Sequence, residues 1–277
     1  MALLLAILCT FSIGTGEHLA AGATKSTRSH EITSGMFASG VLLTGVLVFV
    51  WPGDPTLRDL VFGALAGAAN GLGILLLYYA YSRGSLRSAA PTAGVVMSAV
   101  PVLWNLTVGS APGPVTWAGI ALGLAAIGFT SYQPEGGEDD GYTISVAIVA
   151  GVVFGILLIL LAEIGDNAGG SPLFVQRMVG FVIAITVTRL TGPRMFAANR
   201  SDRRTSFAVG LFATTAILLF VLAIQAGGNL AVVSVLSSQY PAVAVLLGVL
   251  LLRQPLRWWQ SIGLAMASVA VALITIG

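Results

Sequence analysis

Few residues in this chain can do chemistry, and most of them lie inside or beside long apolar stretches. Glu17 and His18 stand together late in the first stretch, where a carboxyl next to an imidazole could carry a proton. Glu163 and Asp166 occupy a comparable place after the sixth stretch. Arg177 follows a few residues on, able to pair with either acid or with a carboxylate on a solute. Glu17, His18 and Glu163 are therefore the candidates for proton coupling. Deeper inside, Asn70 sits in Ala69-Asn70-Gly71, and an amide there must hydrogen-bond across helices or line a wet cavity. Tyr78, Tyr81, Trp104, Gln239 and Tyr240 offer aromatic walls with polar tips, which suit an amphipathic organic solute. Together with Asn70 and Arg177 they form the expected solute-binding set. With two His and Cys9 as the only cysteine, neither a disulfide within the chain nor a multi-cysteine metal site can form, and no cofactor is expected.

The elements that must hold these residues follow from composition. The 277 residues are 56% hydrophobic and 9% charged, with a mean hydropathy of +0.93. Soluble domains carry charge on about a quarter of their residues. So much apolar surface has to face lipid, and the expected fold is an all-α integral membrane protein. Net charge is +2 and the basic residues are scattered through short loops, so nucleic acid is not an expected partner.

Apolar runs long enough to span a bilayer predict ten transmembrane helices, near 2–21, 32–51, 58–81, 88–109, 115–132, 142–162, 172–191, 206–226, 230–251 and 258–276. The first run lacks a basic leading segment and is followed by many similar ones, so it is read as a span and not as a signal peptide. The loop between Tyr132 and Tyr142 carries Glu135, Glu138, Asp139 and Asp140 and falls near the centre of the chain. It divides the chain into a five-helix repeat at 1–132, an acidic linker at 133–141 and a second five-helix repeat at 142–277.

The two halves carry matching marks. The third spans end in Ala-x-x-x-Gly, at Ala80 to Gly84 and Ala223 to Gly227. The fourth hold Pro101-Val102 and Pro241-Ala242, and the fifth Gly119 and Gly263. Five is odd, so the second half enters the membrane the opposite way, giving an inverted repeat. Pro91, Pro101 and Pro241 each remove a backbone donor inside a span, which predicts kinks beside a cavity. Gly63, Gly67 and Gly71, one turn apart, predict close helix packing. Of the 13 basic residues, all but Arg58 and Arg177 fall in loops on one side, so those loops are expected in the cytoplasm and both termini outside.

The stretches YYAYSRGSLRSAAPTAGVVMSAVPVLW in the first half and LAIQAGGNLAVVSVLSSQYPAVAVLLGVLLLRQPLRWWQSIGLAMASVAVAL in the second, with FSIGTGEHLAAGATKS and SPLFVQRMVGF, stand out. Together they resemble the EamA branch of the drug/metabolite transporter superfamily. The resemblance implies two inverted five-helix repeats, a cavity near the bilayer midplane, and alternating access for small organic solutes such as amino acids on their way out. Members usually carry a Glu just after the fourth helix of each half. Here those places hold Ser110 and Gln254. Members also often keep their termini in the cytoplasm, which conflicts with the basic-residue count; the count is retained.

A multi-pass transporter of the cell membrane exporting a small metabolite is therefore the expected function, with a lipid or lipid-linked carrier flippase as the alternative. An intramembrane enzyme fits poorly, because the spans hold no Ser-His or paired-Asp arrangement and no glycine-rich phosphate loop followed by Lys. The expected partners are the bilayer and a small-molecule solute, and self-association as a homodimer stays open.

Overall fold

A computed structural model describes residues 1–82, 86–108, 112–131, 141–243, 246–247 and 258–276. Ten helices are present among them: α1 (Ala2–Ala23), α2 (Ser29–Val50), α3 (Leu57–Ser82), α4 (Leu86–Thr107), α5 (Pro114–Ser131), α6 (Gly141–Ala162), α7 (Ser171–Thr191), α8 (Arg200–Gln225), α9 (Leu230–Ser237) and α10 (Trp258–Ile276). The linker at 133–140, Ser110, Gln254 and the side chain of Pro91 lie outside the described residues.

Helices α1, α2, α3, α6, α7 and α8 are each long and apolar enough to cross a membrane. The others carry shorter apolar helical runs, Thr92–Thr107, Pro114–Phe129, Leu230–Val243 and Ser261–Ala270. Helix is forced on such segments, because hydrocarbon offers the backbone no hydrogen-bond partner and each segment must satisfy its own N–H and C=O groups. Large apolar side chains point outward as well as inward, with Phe49 85% and Leu190 81% exposed, a surface suited to lipid.

The helices pair across the halves in a pattern that survives exchange of the halves. Helix α2 packs on α7, α4 on α9 and α5 on α10, while α1–α8 is matched by α3–α6, α2–α8 by α3–α7, and α1–α9 by α4–α6. Each of these pairings maps onto itself or onto its mate when helix n is exchanged with helix n+5. That is the symmetry of two repeats about a pseudo-two-fold axis.

Glycines set how closely these pairs approach. Gly63, Gly67 and Gly71 face Pro172, Gln176 and Gly180 of α7, and a side chain on Gly67 would run into the Gln176 carbonyl oxygen. Gly210 of α8 sits against the Met36 carbonyl of α2 in the same way. We expect Gly67→Leu to push α3 off α7 and to cost about 1–3 kcal/mol or more, as overpacking does. Thermal unfolding in detergent measures it, and an unchanged midpoint would show that this contact does not stabilise the fold.

Two boundaries differ from expectation. Helix α8 starts at Arg200, six residues before the apolar run, because Asn199 caps it by accepting the Ser201 N–H at 3.0 Å and Asp202 lies in the first turn. The second concerns the predicted span at 230–251. There α9 stops at Ser237, turns at Ser238 and Gln239, and resumes over 240–243, whereas α4 continues through Pro91 and Pro101 as one helix. The Met97 carbonyl, which Pro101 deprives of its helical donor, is turned toward Gly155 of α6 and so is buried in protein.

Candidate functional site

The helices enclose a central cavity holding about 750 Å³ of empty space, the open solvent at its mouth included. Both halves line it, through α1, α3 and α4 from the first and α6, α7, α8 and α9 from the second. The residues one turn before the two matched prolines, Met97 and Ser237, both face it.

Its two walls differ in chemistry. Helices α6 and α8 contribute only apolar groups, with Phe154, Leu158 and Phe220 among them. The polar groups come from α1, α3, α7 and the α9 region: Glu17, Asn70, Tyr78, Arg177, Ser237 and Tyr240. Such a cavity takes a solute with a polar head and an apolar body.

Arg177 is the main feature of the polar wall. Its side chain is 0% exposed, yet Nε, Nη1 and Nη2 have no hydrogen-bond partner among the described residues. The guanidinium lies 5.6 Å from the centre of the Phe37 ring, whose face offers partial compensation for the charge. Glu17 has a partner: the Tyr81 hydroxyl donates to its Oε2 at 2.9 Å. Tyr81 in turn stacks on Tyr78 at 5.7 Å between ring centres. The Tyr240 hydroxyl donates to the Ala90 carbonyl at 2.8 Å, which ties the region after the α9 break to α4.

The remaining expected site residues lie elsewhere. Trp104 is 41% exposed on the outer surface of α4. Gln239 is buried and donates through Nε2 to the Gly123 carbonyl at 3.0 Å, linking the α9 break to α5. His18 is half-buried and is not among the residues lining the cavity. Glu163 forms an ion pair with Arg58 of α3, and Asp166 is exposed. Arg177 therefore meets neither acid of the α6–α7 loop, although all three are neighbours in the chain. Sequence reasoning did not single out Ser237, Met97 or the apolar wall. Ser237 carried a signal, as a hydroxyl one turn before a proline; Phe154 and Leu158 carried none, since lipid-facing residues look the same.

The model of the EamA-like transporter family matches residues 141–276, from the first residue of α6 to the last of α10. By that half, the chain belongs to the EamA-like transporter family. It is accordingly a membrane transporter of the drug/metabolite type. No curated protein matches the chain. A solved crystal structure superposes with a TM-score of 0.78 at 16% identity, over 98% of this chain and 96% of that one, a likeness that speaks for the fold alone.

One end of this EamA-like protein is tied by a clasp between the α2–α3 and α6–α7 loops. The Asp54 N–H donates to the Asn167 carbonyl and the Gly170 N–H to the Trp51 carbonyl, both at 2.9 Å. Asp59 accepts the Thr56 N–H and the Gly165 N–H, both at 2.8 Å, so one carboxylate caps α3 and holds the opposite loop. Gly169, with φ +62°, permits the contact, since a Cβ there would lie 2.7 Å from the Trp51 carbonyl oxygen. At the other end the α1–α2 loop is held by side chains, with Ser26 and Thr27 hydroxyls donating to Asp202 of α8. The pairing of these loops, two at each end, is what alternating spans require.

Proposed function

We propose that the protein exports a small organic metabolite, an amino acid or related compound, across the cell membrane by alternating access of the central cavity. The observation that carries this reading is the division of the cavity into an apolar wall on α6 and α8 and a polar wall on α1, α3, α7 and α9. The solute's apolar body lies against the first and its polar head against the second. The clasped end faces outward and the end bearing Lys25, Arg28, Arg200, Arg203 and Arg204 faces the cytoplasm. Flux of candidate solutes across reconstituted vesicles, with and without a pH gradient, tests it. Tight binding of a lipid-linked sugar with no response to amino acids would replace export by flipping of a lipid-linked carrier.

Glu17 is the carboxyl placed to couple transport to protons, since it lines the cavity, while Glu163 is paired with Arg58 away from it. We expect Glu17→Gln to abolish the dependence of flux on a pH gradient and Glu163→Gln to retain it. The reverse pattern, measured in the same vesicles, would remove Glu17 from the coupling. Tyr81→Phe deletes the donor to Glu17, and is expected to shift the pH profile of flux while leaving transport in place.

A further inference from the structure

We infer that Arg177 is a carboxylate receptor, so that the transported solute carries one carboxylate, seated on this guanidinium as a two-pronged pair. The inference rests on the cavity being the transport site. A buried arginine keeps its charge, and its planar fork of donors matches the two oxygens of a carboxylate. None of the three Arg177 nitrogens has a partner among the described residues, and the ring of Phe37 leaves the edge of the guanidinium without an acceptor. Buried donors are almost always paired, so three unpaired nitrogens on one cavity-lining guanidinium call for a partner that enters the cavity. Glu17, the one carboxyl among the residues lining the cavity, accepts from Tyr81 and forms no ion pair with Arg177.

The charge balance selects the class of anion. Arg177 is the single basic residue lining the cavity among those described, and Glu17 already places a carboxyl there. With Glu17 holding its proton, a monocarboxylate balances the one guanidinium. A phosphate dianion would leave excess negative charge against the apolar walls of α6 and α8, where nothing compensates it. The long apolar wall then favours a carboxylate joined to a hydrocarbon or aromatic body over a small polar acid.

Thermal stabilisation gives a direct readout, because a solute that binds the folded protein raises its unfolding midpoint with concentration. The midpoint in detergent would be titrated on the purified full-length protein with leucine, phenylalanine and 4-methylpentanoate, each against its amide, for the native protein, Arg177→Gln and Arg177→Lys. The expected result is that one or more acids stabilise the native protein at a concentration at least tenfold lower than the matching amide. That preference should fall to about twofold or less in Arg177→Gln and be partly restored in Arg177→Lys. Equal stabilisation by acid and amide, or a preference that persists in Arg177→Gln, would overturn the inference. Flux of a solute without a carboxylate, with every acid inert, also overturns it while the transporter reading stands. Acids that stabilise the protein through Arg177 but never cross vesicles would uphold the receptor and sink the transport reading.

Discussion

Arg177→Met is expected to raise the thermal unfolding midpoint of the solute-free protein and to abolish uptake. Arg177 bears a buried charge with no hydrogen-bond partner among the described residues, so among them its desolvation is offset by the face of Phe37. Methionine is unbranched, fills irregular spaces and carries no charge to desolvate. Replacing buried ion pairs by apolar residues of similar size has stabilised other proteins by about 1–4 kcal/mol, and removing the desolvation cost of Arg177 acts in the same direction. Uptake is lost for the opposite reason, because the group that recognises the solute's oxygens is gone. A functional site built at the expense of stability is the general pattern of which this would be an instance. A lower midpoint in Arg177→Met would mean that the guanidinium stabilises the bundle, and the recognition role would lose its main support.

Asp59→Ala is expected to loosen the clasp and move the protein toward a state open at that end. The change removes the acceptor of the Thr56 N–H and hydroxyl and of the Gly165 N–H, which lies across the interface. Thr56 and Gly165 are exposed, so water takes the freed donors and the loss is the net worth of hydrogen bonds to a charged group, about 1.5 kcal/mol or more. If the two end-states differ by a few kcal/mol, that is enough to change their populations about tenfold. A membrane-impermeant thiol reagent applied from the clasped side should then reach Cys9 faster than in the native protein. Gly169→Val should act in the same direction, since Val would need a left-handed backbone and would meet the Trp51 carbonyl. Unaltered labelling from that side in both variants would show that the clasp does not gate the cavity. The symmetry of the helix pairing makes the contrast between the ends informative: backbone hydrogen bonds, Asp59 and the Glu163–Arg58 ion pair hold one end, while hydroxyl contacts to Asp202 hold the α1–α2 loop at the other.

Most of the fold was legible in the chain because lipid imposes a one-dimensional rule, about 20 apolar residues for each helical span. That rule located the helices to within a few residues over most of the chain. It failed at Arg200, where the helix outruns the apolar run, because hydropathy marks the edge of the bilayer and not the end of the helix. It failed again after Ser237, where the chain stays apolar while the helix breaks beside Pro241. The glycines at 63, 67 and 71 announced a close contact in the sequence, but that its partner is α7 is a fact of packing.

The site was legible only in part. Residue type singled out Glu17, Asn70, Tyr78, Arg177 and Tyr240, because a polar group in hydrocarbon needs a reason to be there. What it did not decide was which groups meet. Residue type and chain proximity left Arg177 open to Glu163, Asp166 or a solute carboxylate, whereas packing gives Glu163 to Arg58, 105 residues away, and leaves Arg177 to the cavity. Glu17 finds Tyr81 across 64 residues in the same way. The sequence by itself determined that this chain is a membrane-embedded bundle of helices in two like halves, since composition and span length are local properties that the bilayer reads directly. Only the tertiary structure decided which faces of those helices line the cavity and which face lipid, because in a chain so uniformly apolar both kinds of face are built from the same residues.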